Sequence, residues 1–348
     1  MLRPQTFQSS CLSILRLFRK QIALPTLQPR NIATSSAASS SPSPSPSPSP
    51  SAASPSPSAL SPLPSASESL AASLAAVSAA SETVIASEEA LGSFLSSIAP
   101  SSILYLDLEG TALSRNGTVS LITSLVYPQR TTRLIDVLTL GKAAFTTPAR
   151  DGRTTLKSIL EDPAISKYLW DVRSDADALW ALYGVGLRGI TDLQLLENAG
   201  RAGNRKLIRG LSKSIKRDLA LTPADLDRWH RTKTEGKRLM DENRFDVRPI
   251  APDVVEYCLG DVALLPALHE LYGGRVDAEW LAKVVDESAR RIEEVQAVDY
   301  DTTFTYQKML APWGGDLVVK VLNPDLPVTD VELPVVDVEP VKPEKPLV

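Results

Sequence analysis

The stretch Leu104-Tyr-Leu-Asp107-Leu-Glu109-Gly110 decides the fold class of this chain. Its short apolar run predicts a buried β-strand that ends in two carboxylates. Side chains at positions i and i+2 of a strand lie on one face, so Asp107 and Glu109 are expected to project together. Two such charges about 4 Å apart repel by about 4 kcal/mol at an effective dielectric constant near 20. A cation would relieve this repulsion, whereas a solvated strand end is the alternative interpretation of an isolated Asp-x-Glu.

The segments around this strand predict an α/β domain with a mixed sheet flanked by helices. A turn containing Asn116-Gly117 suits a tight hairpin between the first two strands. After Ile190 the pattern is almost wholly helical. The predicted strands are residues 103–108, 118–126, 133–137 and 168–172. The predicted helices are residues 155–160, before the last strand, and residues 175–183, after it.

Two further acidic motifs follow along the chain. The first, Trp170-Asp171-Val-Arg173-Ser-Asp175-Ala-Asp177, leads from a strand into a helix. Ordinary capping of a helix N-terminus explains one of its three aspartates but not all of them. In the second motif, Tyr257 and Asp261 are four residues apart on a predicted helix, so they lie on one face, where a tyrosine beside a carboxylate can orient a water molecule.

The three motifs, in this order, resemble the DEDDy group of 3'-5' exonucleases, the ribonuclease-D-like family with a ribonuclease-H-like fold. The resemblance covers residues 104–272 and is closest to the fungal-type 3'-5' exonuclease-domain proteins. It implies that the carboxylates of the three motifs bind metal and that Tyr257 positions the attacking water. It leaves Asp171 and Asp177 as alternatives for the second motif. The implied metal ligands are Asp107, Glu109, Asp175 and Asp261.

The same resemblance implies a reaction. Two Mg²⁺ or Mn²⁺ ions would support hydrolysis of phosphodiester bonds from the 3' end of single-stranded RNA or DNA, with release of nucleoside 5'-monophosphates. Oxygen ligands suit these two metals rather than zinc. The alternative is a catalytically inactive nucleic-acid-binding or scaffolding module with the same fold.

Positive charge in the helical half of the domain predicts a phosphate-binding surface. Seventeen residues, 201–217, contain seven basic side chains and no acid. An apolar stripe at helical spacing predicts that these basic residues face outward, although a merely solvated face is the alternative. A second basic segment follows at residues 228–238. The predicted nucleic-acid contacts are Arg201, Arg205, Lys206, Arg209, Lys213, Lys216 and Arg217.

Composition divides the 348-residue chain into four parts. Residues 1–34 form a basic amphipathic segment that is typical of mitochondrial targeting, with nucleus or cytoplasm as the alternative location. Residues 35–92 are a Ser/Pro/Ala-rich linker predicted to be disordered. Residues 93–315 form the predicted exonuclease domain, and residues 316–348 are an acidic Pro-rich tail with seven acids against three lysines, predicted to be disordered or an edge extension.

Other function classes are excluded by simple counts. No apolar run reaches the length of about 18 residues that a membrane-spanning helix needs. The two cysteines, Cys11 and Cys258, are too few for a disulfide framework or a cysteine-based zinc site. Neither of the two histidines, His230 and His269, has the spacing of a hydrolase triad, and His269 is predicted to lie on a helix surface.

Overall fold

The computed structural model describes residues 83–303 and 305–313, and the sheet it contains confirms the predicted α/β class. Six strands form one mixed sheet in the order β1-β4-β3-β2-β5-β6. The central strand β2 pairs antiparallel with β3 and parallel with β5. The strands are β1 (Val84–Ile85), β2 (Ile103–Glu109), β3 (Leu121–Tyr127), β4 (Thr131–Asp136), β5 (Ser166–Leu169) and β6 (Ile190–Asp192).

Helices cover both faces of this sheet. Three short helices follow β4, of which the sequence predicted only the last, at residues 155–160. The chain after β6 is mostly helical, as the sequence predicted. No helix among the described residues is both long and apolar enough to cross a membrane. The helices are α1 (Glu88–Ser96), α2 (Val137–Leu140), α3 (Ala143–Thr146), α4 (Leu156–Glu161), α5 (Arg173–Tyr183), α6 (Leu193–Ala199), α7 (Leu211–Asp218), α8 (Pro223–Asp241), α9 (Pro252–Ala263), α10 (Leu265–Gly273) and α11 (Ala278–Val295).

The alternation along β2 separates two apolar layers. Leu104, Leu106 and Leu108 are buried in the layer that contains α1, α4 and α5. Tyr105 belongs to the opposite layer, which contains α6 and α10. Side chains two residues apart share a face, so the carboxylates of Asp107 and Glu109 lie on the Tyr105 side, towards α9.

The domain begins earlier in the chain than the sequence predicted. Val84 and Ile85 pair with β4 as an edge strand, and Leu91 of α1 is fully buried. The prediction that residues 83–92 belong to a disordered linker is therefore wrong, because their apolar side chains complete the layer under the sheet. The predicted targeting segment, the rest of the linker and the acidic tail lie outside the described residues and stay predictions.

The connection between β2 and β3 is not the tight hairpin that Asn116-Gly117 suggested. The two strands end their pairing at Glu109 and Leu121, which leaves a loop of residues 110–120. Inside this loop Gly117 closes a turn by donating its backbone N–H to the Ser114 carbonyl, 3.1 Å away. The turn carries Arg115, whose backbone N–H and side chain both donate hydrogen bonds to Asp177 on α5.

His269 lies inside the domain, so the prediction of a helix-surface position is wrong. The Tyr105 hydroxyl and His269 Nδ1 are hydrogen-bonded at 2.9 Å, and the Tyr168 ring stacks on the imidazole with centroids 3.9 Å apart. Burial lowers the pKa of His269 to about 4. The imidazole is therefore neutral in the folded protein at neutral pH.

This burial makes stability depend on pH. The folded-state pKa of His269 is lower than its ordinary value of 6.5, so the unfolded chain binds the proton first as the pH falls. The contribution of the neutral imidazole to the free energy of unfolding is complete above pH 6.5 and is lost as the pH falls towards 4. Between pH 7 and pH 5 this loss is about 2 kcal/mol. In urea unfolding at both pH values, His269→Gln is expected to lose less stability on acidification than the wild type. Equal losses in the two proteins would contradict a buried neutral imidazole.

Candidate metal centre and nucleic-acid interface

Three of the predicted metal ligands meet at the end of β2. One carboxylate oxygen from each of Asp107, Glu109 and Asp261 lies within 4.8 Å of the others. The two strand residues reach this point because they share a face of β2, and Asp261 reaches it from α9, which packs across that face. We refer to Asp107, Glu109 and Asp261 as the carboxylate cluster.

The cluster is electrostatically unfavourable without a cation. Burial raises the pKa of Asp107 to about 6. Burial, followed by the charge of Asp107, raises the pKa of Glu109 well above its ordinary value. Asp261 is buried as well. Three converging carboxylates, two of them with raised pKa values, form an oxygen donor set that fits a hard divalent cation such as Mg²⁺ or Mn²⁺.

Lys233 of α8 is the site residue that sequence reasoning missed. Its ammonium forms an ion pair with Asp261, and its charge offsets part of the rise in the pKa values of Asp107 and Glu109. In the sequence Lys233 is one of several basic residues of α8, a helix that is distant from β2 along the chain. Only the packing of α8 against α9 brings it to the cluster, so no local motif could have identified it.

Tyr257 lies one helical turn before Asp261 and is almost fully buried. Burial, with smaller contributions from Glu109 and Asp107, raises the pKa of its hydroxyl group. The hydroxyl therefore keeps its proton and can donate it in a hydrogen bond. Tyr257 therefore lies beside the cluster, and its role in orienting a water molecule stays a prediction.

Asp175 lies outside the 4.8 Å cluster but interacts with it. It is buried in the first turn of α5, and burial and then the charge of Asp107 raise its pKa. The charge of Asp175 in turn raises the pKa of Glu109. The alternatives are neutralised elsewhere, since Asp171 pairs with Arg173 at 2.6 Å and Asp177 pairs with Arg115 at 2.7 Å. This contrast favours Asp175 as the second-motif ligand.

A buried network fixes the start of α5 and with it Asp175. Asp192 accepts hydrogen bonds from the backbone N–H groups of Asp171 and Val172, at 2.9 and 3.1 Å. Arg291 of α11 donates to Asp192 at 2.7 Å. A charged network with all partners satisfied holds backbone in place better than isolated contacts do.

The outward orientation predicted for the basic cluster is wrong for its first members. Arg201 is only 8% exposed and pairs with Glu197 on α6. Arg209 pairs with the same carboxylate at 2.8 Å, and Arg205 lies 4.7 Å over the Trp280 ring. The buried Glu197 explains this inward turn, because a buried carboxylate requires nearby cations. The remaining members are exposed and form no ion pair within the described part of the chain: Lys206, Lys213, Lys216 and Arg217.

Helices α8 and α9 are in close contact at Gly236. A Cβ atom at this position would overlap the Tyr257 ring, so any larger residue requires that ring to move. Gly260 of α9 differs, because a Cβ atom added there would have Thr232 Cγ2 as its nearest neighbour at 3.8 Å, an ordinary contact. Only the first glycine is therefore required by packing.

This difference gives a matched pair of variants. Gly236→Ala is expected to displace Tyr257 and lower the free energy of unfolding by about 1 to 3 kcal/mol, the usual cost of overpacking. Gly260→Ala is expected to raise it by up to about 1 kcal/mol, since alanine favours the helix. Urea unfolding measures both. A neutral Gly236→Ala would show that the helices are not packed as described.

Comparison with solved structures identifies the fold. RNase D from Trypanosoma brucei in complex with GMP is 24% identical with a TM-score of 0.52, over 64% of this chain and 66% of that one. The same enzyme in complex with the RNA U12 is 24% identical with a TM-score of 0.52, over 66% of this chain and 77% of that one. No protein-family model and no curated protein matches the sequence. This chain therefore spans just under two thirds of the first of these structures and shares the ribonuclease-D fold, a mixed α/β sheet of the ribonuclease-H-like type.

Proposed function

We propose that this protein is a metal-dependent 3'-5' exonuclease that hydrolyses phosphodiester bonds at the 3' end of single-stranded RNA or DNA. The observation that carries the proposal is the carboxylate cluster, in which Asp107, Glu109 and Asp261 come within 4.8 Å from two separate elements. The fold it shares with RNase D, which has been crystallised with GMP and with RNA, supports a nucleic-acid substrate.

In this proposal Asp107, Glu109, Asp175 and Asp261 would hold the divalent cations. Bound Mg²⁺ or Mn²⁺ ions would supply activation of water and stabilisation of the attacking and leaving oxygens. The four carboxylates fix where the 3'-terminal phosphodiester binds. Tyr257 keeps its phenolic proton and orients the water for in-line attack on phosphorus. The leaving 3'-oxygen stays on the shortened strand, and a nucleoside 5'-monophosphate is released.

The four exposed basic residues near α7 are proposed to contact phosphates. Lys213, Lys216 and Arg217 lie on α7, whose Ile215 is buried with Trp229 of α8 in one apolar cluster. Helix α8 carries Lys233, so α7 flanks the helix that reaches the carboxylate cluster. Strand phosphates would bind along this exposed charge by electrostatic attraction.

One observation favours the second candidate, a nucleic-acid-binding or scaffolding module without turnover. The ammonium of Lys233 already neutralises part of the carboxylate cluster. A protein that kept this ammonium in place permanently would bind strands without cleaving them. Assays of binding and cleavage on the same strands distinguish the two candidates.

The decisive assay uses the full-length protein with single-stranded RNA and DNA labelled at either end, in Mg²⁺ or Mn²⁺ and in EDTA. We expect a metal-dependent ladder that shortens from the 3' end. Asp107→Asn is expected to lower the rate by about a hundredfold or more, because a ligand of the cations that stabilise transition-state charge is lost. Asp241→Asn, an exposed acid on α8, is the matched control and should cleave at the wild-type rate. Salt-sensitive binding without cleavage would favour the inactive module.

The basic surface is tested by the salt dependence of binding. Lys213→Ala/Lys216→Ala is expected to weaken binding and to reduce the slope of log affinity against log salt by about 1.4, since each contact to a single strand contributes about 0.7. The control is Lys283→Ala/Arg290→Ala on α11, two exposed residues that pair within their own helix. Fluorescence anisotropy in EDTA measures both. Equal slopes in the two double variants would place the strand elsewhere.

A further inference from the structure

Lys233 differs from Lys237, the other lysine of α8, in the partner that its ammonium contacts. Its neighbours four residues away on the helix are Trp229 and Lys237, so it has no acid at that spacing. Lys237 pairs with Asp241 at 3.1 Å along the helix surface and is 80% exposed. The side chain of Lys233 is only 18% exposed and crosses to Asp261 on α9. Its ammonium therefore lies at the carboxylate cluster and not on the surface of the helix.

The surroundings hold the ammonium there. Lys233 Nζ lies 4.4 Å from the centroid of the Tyr257 ring and 6.0 Å from that of Trp229, distances at which an aromatic ring attracts a cation. Gly236, one turn further along α8, is what allows α8 and α9 to come so close. Three carboxylates face this single ammonium, and no other lysine or arginine in the described residues is paired with any of them.

We infer that Lys233 is the internal counter-ion of the carboxylate cluster: it stabilises the three carboxylates while no divalent cation is bound, and a divalent cation binds by displacing it. The inference rests on the proposed function for the identity of the cluster as a metal centre. The ammonium and the incoming cation compete for the same oxygen atoms, above all the Oδ1 of Asp261. Only the fraction of molecules in which Lys233 has withdrawn can bind metal, so the lysine weakens the apparent metal affinity by that fraction.

Lys233→Met in the full-length protein separates these two effects, with Lys237→Met as the matched control on the same helix. In EDTA, Lys233→Met is expected to unfold at a lower temperature than the control, because three carboxylates lose their counter-ion. In calorimetric titration with Mn²⁺ alone, it is expected to bind about tenfold more tightly than the wild type, because the competing charge is gone. The gain in melting temperature on adding Mn²⁺ should be correspondingly larger.

A second background keeps the test independent of general damage to the fold. In Asp261→Asn the main partner of Lys233 is gone, so adding Lys233→Met should change the EDTA melting temperature much less than it does in the wild type. Wild-type Mn²⁺ affinity in Lys233→Met, or no Mn²⁺ binding in either protein, would overturn the inference. A protein that binds Mn²⁺ as expected but degrades no strand would overturn the proposed function and leave the counter-ion role intact.

Discussion

Repulsion among three closely placed carboxylates is the constraint on which the rest of this structure depends. Asp107 and Glu109 share a face of the central strand, and α9 adds Asp261 to the same point, within 4.8 Å. Such an arrangement is unstable unless positive charge is supplied. The fold supplies it from α8, whose Lys233 reaches into the cluster. A divalent cation is the other source, and the competition between the two connects the stability of the domain with its proposed chemistry.

The surrounding elements hold these carboxylates in place by apolar packing, by a close helix contact and by hydrogen bonds. Leu104, Leu106 and Leu108 anchor β2 in the apolar layer behind the sheet, which keeps Asp107 and Glu109 on the opposite face. Gly236 removes the side chain that would otherwise keep α8 away from Tyr257. Hydrogen bonds from the start of α5 to Asp192 fix the backbone that carries Asp175. Each contact is ordinary, and together they place four acids from three elements near the end of the central strand.

Local patterns in the sequence were sufficient for the central strand, the α/β class and the shared strand face of Asp107 and Glu109. These features depend on the alternation of side chains along consecutive residues. The convergence of Asp261 with the two strand carboxylates followed only from the family resemblance, because it depends on how α9 packs across the sheet. The direction of the basic side chains was not predictable in the same way. Arg201 and Arg209 turn inward because of Glu197, a partner on another helix whose burial depends on the whole fold. Charge counted along the chain does not reveal such pairing.

The positions of Lys233 and His269 also could not be predicted from local patterns. Lys233 joins the site only through the packing of α8 on α9, and His269 is buried only because α10 covers Tyr105 and Tyr168. The early start of the domain at β1 has a related cause, since two residues are enough for an edge strand when β4 offers a free edge. Contacts between elements distant in sequence decide all three positions.

Anomalous diffraction from crystals of the protein soaked in Mn²⁺ tests the central claim most directly. We expect an anomalous peak at bonding distance from oxygens of Asp107, Glu109 and Asp261, with the ammonium of Lys233 withdrawn from Asp261. Crystals that bind no Mn²⁺ at this position and keep the Lys233–Asp261 ion pair would contradict the assignment of the carboxylate cluster as a metal centre.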